Sequence, residues 1–196
     1  MNTMALLQCA FDAFDAYNSN DPHTEEVDGK KFPKELLYSL RMTDRLNLYE
    51  PEAPMHLKLA ARCQHIGRWE IPRNTFSMDR KGYLQWRSKL VLYHAEIATR
   101  ILTSCGLENN VIEKVRFLLQ KKELRQHHPE TQILEDVICL VFIEHYLDDF
   151  AIQHDDEKVI DILKKTIPKM SSRALNEAAN IKLSPKAADL LQRALN

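Results

Sequence analysis

The chain has 196 residues, 44% hydrophobic and 28% charged, with a formal net charge of −1. That length suits one well-buried core, and the balanced charge points away from a nucleic-acid binder and from a trap for acidic partners. Its four glycines are too few for a hairpin-rich fold or a phosphate-cradling glycine loop.

In the first predicted helix, Ala5, Leu6, Cys9, Ala10, Ala13, Phe14 and Tyr17 recur at helical spacing, with Thr3 as the N-cap. The segment lacks a basic leader and carries Asp12 and Asp15, so it does not read as a signal peptide. A turn-rich stretch from Asn18 to Pro33 follows, without a convincing strand. A second helix after Pro33 is marked by Leu36, Leu37, Leu40, Met42 and Leu46. Pro51 and Pro54 break it, and a third runs from about Met55 to His65. The loop from Gly67 to Met78 carries Pro72 and many large side chains. A long amphipathic helix from Arg80 to about Cys105 stops at Gly106, and another spans Glu108 to about Gln120.

Beyond a polar loop with His127 and His128, the stretch from Thr131 to about His154 is apolar on all sides in its middle. That pattern marks a central buried helix. An acid-led helix from Asp155 to Ile167 and two short pieces after Ser171 and Ser184 close the chain. The expected architecture is all-α, a single compact multi-helix domain over residues 1–196.

Cys9, Cys63, Cys105 and Cys139 lie far apart in apolar helical settings with no Cys-x-x-Cys pair. Reduced core thiols of a cytoplasmic protein are therefore expected. The longest purely apolar run, Val137 to Ile143, is too short to cross a bilayer, so no membrane partner is expected. The sequence has no P-loop, nucleophile elbow, His-Glu-x-x-His or dinucleotide fingerprint.

Chemistry-bearing residues fall on three helices. His65 ends the third, His94 sits on the long amphipathic helix, and Asp136 stands early in the buried one. Imidazole and carboxylate are the ligands of zinc, iron or manganese. The competing reading makes His65 and His94 core histidines bonded to backbone carbonyls or a carboxylate. Between Arg62 and Lys89 basic residues dominate, and both tryptophans, Trp69 and Trp86, lie among them. Guanidinium forks grip phosphate, and an indole face stacks on a base. Arg68, Trp69 and Arg73 flank Gly67 near His65; their competing role is to pin the loop.

The order helix–His65–loop–helix–His94–loop–buried helix–Asp136 resembles the HD-domain phosphohydrolase superfamily. His94, Gly106-Leu107 and Leu134-Glu135-Asp136-Val137 carry the second half of that likeness. The first half departs from it: Ile66 stands where an Asp is expected and Tyr38 where a His is expected. The chain as a whole is similar to an all-helical bacterial and fungal family of unknown function. This likeness rests on Asn20-Asp21-Pro22, Pro33-x-Glu35-Leu36-Leu37-Tyr38, Gln64-His65-Ile66-x-Arg68-Trp69-Glu70-Ile71-Pro72-Arg73 and Glu135-Asp136-Val137-x-Cys139.

These resemblances imply an HD-domain-like helical bundle around a pocket for a phosphate-bearing small molecule or nucleotide. His65, His94 and Glu70 are the expected acid–base groups, Arg68, Arg73 and Arg41 the phosphate binders, and Trp69 the stacking wall. One divalent metal (Fe, Mn or Zn) would be held by His65, His94 and Asp136. The alternatives are a non-catalytic ligand-binding or regulatory module and a protein-interaction scaffold that forms a homodimer.

Overall fold

The structure is a computed structural model that describes residues 2–195. They form ten α-helices, one two-stranded hairpin and a few short 3-10 turns. The all-helical class expected from the sequence holds. The chain divides into two compact units, Met1–Leu124 and Arg125–Asn196.

In the first unit, α1 (Thr3–Asn18) is capped one residue earlier than expected, by Asn2 instead of Thr3. Asn2 accepts the Met4 N–H at 3.2 Å with its side-chain oxygen. A hairpin then replaces the strand-free turn region that was expected. Strands β1 (Thr24–Val27) and β2 (Lys30–Pro33) pair antiparallel, Thr24 opposite Pro33 and Val27 opposite Lys30. Their turn is Asp28-Gly29 with φ of 50° and 73°, the positive pair that a two-residue primed turn demands. The strands are short, charged and largely solvent-facing, so hydrophobic alternation never announced them.

Helices α2 (Lys34–Tyr49), α3 (Met55–Arg62), α4 (Arg80–Ser104) and α5 (Asn109–Leu119) complete this unit. Central α3 packs against α1, α2 and α5. Its Leu57, Leu59, Ala60 and Ala61 are fully buried, and the two alanines let neighbouring backbones approach closely. The chain leaves α3 three residues earlier than expected and turns through Cys63–Gly67 instead of continuing to His65.

Arg62 locks this corner. Its Nε and Nη2 donate to the two Asp15 oxygens at 2.8 and 2.5 Å, its Nη1 donates to Thr43 Oγ1 at 3.1 Å, and its guanidinium lies over Phe11. Cys9 and Cys105 form a disulfide with Cα atoms 6.0 Å apart, tying α1 to the end of α4. That corrects the expectation of four reduced thiols: helical packing brings together two cysteines that are 96 residues apart in sequence. Cys63 and Cys139 are the buried free thiols.

The second unit comprises α6 (Pro129–His145), α7 (Leu147–Gln153), α8 (Asp156–Thr166), α9 (Ser172–Ala178) and α10 (Pro185–Leu195). Helix α6 is buried on all sides, as its composition demands, with Leu134, Val137, Leu140 and Val141 at 0–1% exposure. The single helix expected through His154 is broken at Tyr146, whose φ of −129° turns the axis before α7 begins. No proline or glycine marks that break in the sequence. Asp155 and Ser171 cap α8 and α9 by accepting the Lys158 and Ala174 N–H groups. No helix among the described residues is long and apolar enough to cross a membrane.

A cationic histidine cleft as the candidate functional site

The turn after α3 builds the site. Gly67 has φ of +68°, a conformation that favours glycine, and a Cβ there would stand 2.6 Å from Ile97 Cδ1 and force that side chain to shift. Its N–H donates to Asn18 Oδ1 at 3.4 Å, which fixes the turn to the end of α1. Ile66, at the position of the expected aspartate, is fully buried, and its carbonyl accepts the His94 Nδ1–H at 2.7 Å. Tyr38, at the position of the expected histidine, stacks on the His65 ring at 4.3 Å and 14°. Both positions orient imidazoles.

These contacts decide the tautomers. A guanidinium only donates, so the 3.2 Å contact of Arg68 Nη1 makes His65 Nε2 the acceptor and places the proton on Nδ1. His94 uses Nδ1–H on the Ile66 carbonyl, which leaves Nε2 with its lone pair. No hydrogen bond reaches that nitrogen among the described residues. The two rings lie 5.8 Å apart.

His65 and His94 open onto a small cleft with a cavity volume of about 20 Å³, whose polar lining also includes Gln64, Arg68, Arg87 and Lys121. Leu90, Val91 and Leu119 form its apolar wall. Three cations therefore line the cleft and no carboxylate does. Arg87 contacts the Tyr83 hydroxyl at 3.4 Å, and among the described residues no carboxylate pairs with it. Arg68 rests its guanidinium on the Trp86 ring at 4.9 Å, and the Trp86 indole N–H donates to the Ile71 carbonyl at 2.8 Å.

Burial holds His94 down to about 4. Arg68 and Arg87 push the same way, against the Ile66 carbonyl. Burial, then Arg68 and His94, also hold His65 well below the ordinary histidine value. Both rings are neutral at pH 7. Behind them Glu35, at 7% exposure, faces His65 Nδ1 at 3.7 Å and Arg68 Nε at 3.8 Å. Burial raises its carboxyl to about 7, with Arg68 opposing the rise and Asp21 adding to it.

The other expected site residues stand elsewhere. Glu70 accepts the Tyr17 hydroxyl at 3.0 Å and is also bonded by the Tyr93 hydroxyl; it does not line the cleft. Trp69 packs at 5.9 Å against Tyr17. Arg73 pins its own loop by donating to the carbonyls of Phe76, Ser77 and Asp79 at 2.8–3.2 Å. Arg41 is ion-paired with Glu25 at 2.5 Å. Asp136 belongs to the second unit, where Ser171 N–H, Ser171 Oγ–H and Gln132 Nε2–H donate to it at 2.8, 2.6 and 2.9 Å.

The donor set does not fit the expected divalent metal. His65 Nε2 is taken by Arg68, the Asp136 oxygens accept three hydrogen bonds, and His94 Nε2 alone is open. Among the described residues no group of three or more His, Cys, Asp or Glu could hold a metal ion.

Four contributors were missed as site residues by sequence reasoning: Glu35, Gln64, Arg87 and Lys121. For Arg87 a signal existed. Arg87, Leu90, Val91 and His94 fall at i, i+3, i+4 and i+7, one face of a helix. Lys121 follows the end of α5 and carried no such signal.

Fold and cleft define a class, an all-helical protein whose first unit carries a cationic, histidine-lined cleft. The chain belongs to a family described as Domain of unknown function (DUF4202), which matches residues 8–191. No curated protein and no solved structure matches the chain.

Proposed function

We propose that the cleft binds a small phosphate-bearing molecule and that the protein acts as a ligand-binding module. The observation that carries this reading is the convergence of Arg68, Arg87 and Lys121 on a space without a lining carboxylate. Such a space attracts a dianion, and planar guanidinium forks match phosphate oxygens in pairs. His94 Nε2 faces the same ligand class. As an acceptor it meets the hydroxyl of a protonated phosphate; beside a dianion it gains a proton and donates.

Two observations narrow the ligand further. The cavity of about 20 Å³ admits a small anionic group and little else. The wall is aliphatic, while Trp86 supports Arg68 and Trp69 packs on Tyr17, so neither indole is offered to a base. This favours a short phosphate ester over a nucleotide. Hydrolysis is the second reading, because two imidazoles 5.8 Å apart flank the cleft. A group held near 4 is a weak base at pH 7, which favours binding without turnover.

The test is calorimetric titration with glycerol phosphate and with adenosine monophosphate, alongside a phosphate-release assay. Binding of glycerol phosphate with no release supports the module. Release that is lost in His65→Ala and His94→Ala would establish the hydrolase instead. Heat from neither ligand would remove the phosphate reading.

A further inference from the structure

One of the cleft's cations, Arg68, faces an anion that does not line the cleft. Glu35 is the second residue of α2, and its backbone N–H donates to Asp21 Oδ2 at 3.0 Å, which fixes the chain at that point. Its side chain is 9% exposed. Among the described residues no hydrogen bond reaches either carboxylate oxygen; the nearest donors, His65 Nδ1 and Arg68 Nε, are 3.7 and 3.8 Å away. Buried carboxylates are ordinarily hydrogen-bonded or tightly paired. Two acids, Asp21 and Glu25, repel its charge, while Lys34 and Arg68 attract it. Arg68 faces both ways, toward Glu35 through Nε and toward the cleft that it lines.

We propose that Glu35 is the cleft's internal counter-anion, compensating Arg68 when no ligand is bound and competing with the incoming phosphate for that guanidinium. This rests on the phosphate-binding reading above and identifies the residue that sets the affinity. Arg68 is held on three sides, by His65 Nε2, the Trp86 face and Glu35, so an anion need not reorder it; it needs to outbid one carboxylate charge. A dianion does so more readily than a monoanion, because its attraction to the cleft cations is doubled. Glu35 thereby keeps binding reversible and tunes it to the ligand concentration.

The direction of the effect separates this role from a structural one. Loss of a structural contact weakens binding, whereas removing a competing anion strengthens it. The experiment titrates inorganic phosphate into wild type, Glu35→Gln and Glu35→Asp at pH 8, where the Glu35 carboxyl is ionised and phosphate is a dianion. Glu35→Gln keeps the side-chain shape and the N–H bond to Asp21. It is expected to bind phosphate about tenfold tighter, the scale of one charge at partly screened range. Glu35→Asp, which retains the charge, is expected to stay near wild type.

In the Arg68→Gln background the gain from Glu35→Gln is expected to vanish, since the competition runs through that guanidinium. Glu35→Leu serves as a second neutral variant should Glu35→Gln fail to fold. Wild type that binds phosphate while a folded neutral variant binds no tighter overturns the counter-anion role and leaves the site intact. No binding by wild type or by any neutral variant overturns the site and this inference together.

Discussion

Single side chains in the first unit hold positions that their neighbours make costly to change. Arg62 is the clearest case: it is 8% exposed and forked onto Asp15 with Thr43 alongside. Arg62→Ala leaves those partners unpaired. It is expected to cost about 3 kcal/mol in urea unfolding, against about 0.5 kcal/mol for an exposed ion pair such as Lys165–Asp161.

The titrating groups give a second prediction at this scale. His65 and His94 are held below 6.5, so the unfolded chain binds more protons than the folded one just below that value. Their contribution to stability is lost as pH falls through 6.5. Glu35, raised from 4.5 to about 7, works the other way: its folded form binds more protons across that window, so its contribution is lost as pH rises. Two histidines oppose one carboxyl, and net stability is expected to fall between pH 6.5 and 5. Glu35→Gln is expected to steepen that fall and to be more stable than wild type at pH 8, by about 2 kcal/mol. Urea unfolding of both proteins across pH 5–8 checks this; equal stability at pH 8 would contradict the buried charge.

The elements are positioned by two glycines under different constraints. Gly29 at φ +73° has open space where a Cβ would go, so Gly29→Ala meets backbone strain alone, about 1 kcal/mol. Gly67 adds a 2.6 Å clash with Ile97 Cδ1. Gly67→Ala is expected to lower the thermal midpoint further and to move the turn that carries His65 and Arg68. A smaller effect for Gly67→Ala than for Gly29→Ala would contradict that difference.

The same elements show what the sequence makes legible. Long amphipathic helices such as α4 and the buried α6 were readable because burial imposes a period on many residues. The hairpin was not, because four-residue strands with solvent-facing charges impose none, although Asp28-Gly29 carried the turn signal. The break at Tyr146 has no local marker. At the site, His65, His94 and Arg68 were legible from residue type and spacing. Glu35 and Lys121 were not, because only packing brings Lys121 to the cleft and Glu35 against His65 and Arg68. Asp136 and Glu70 have suitable chemistry, but Ser171 in one case and two tyrosines in the other have taken it up.

Across the molecule, the first unit contains both the cleft and the disulfide. The Cys9–Cys105 bridge spans 96 residues of sequence and closes almost the whole of that unit. Its effect falls mainly on the unfolded chain, so Cys9→Ser is expected to cost about 3 kcal/mol. A thermal midpoint unchanged by both the substitution and a dithiol reductant would contradict this. Within that unit Tyr38 and Ile66 orient imidazoles, and Arg68, Arg87 and Lys121 line the cleft.

Arg68, Arg87 and Lys121 are proposed to bind phosphate together. The most direct measurement is calorimetric titration of inorganic phosphate into wild type and Arg87→Ala at pH 8 and low salt. Arg87 has no carboxylate partner among the described residues, so its removal takes away attraction and little structure. The expected result is saturable binding by wild type, weakened about tenfold, on the order of 1.4 kcal/mol, in Arg87→Ala with an unchanged thermal midpoint. Equal binding by the two proteins, or none by wild type, would contradict it.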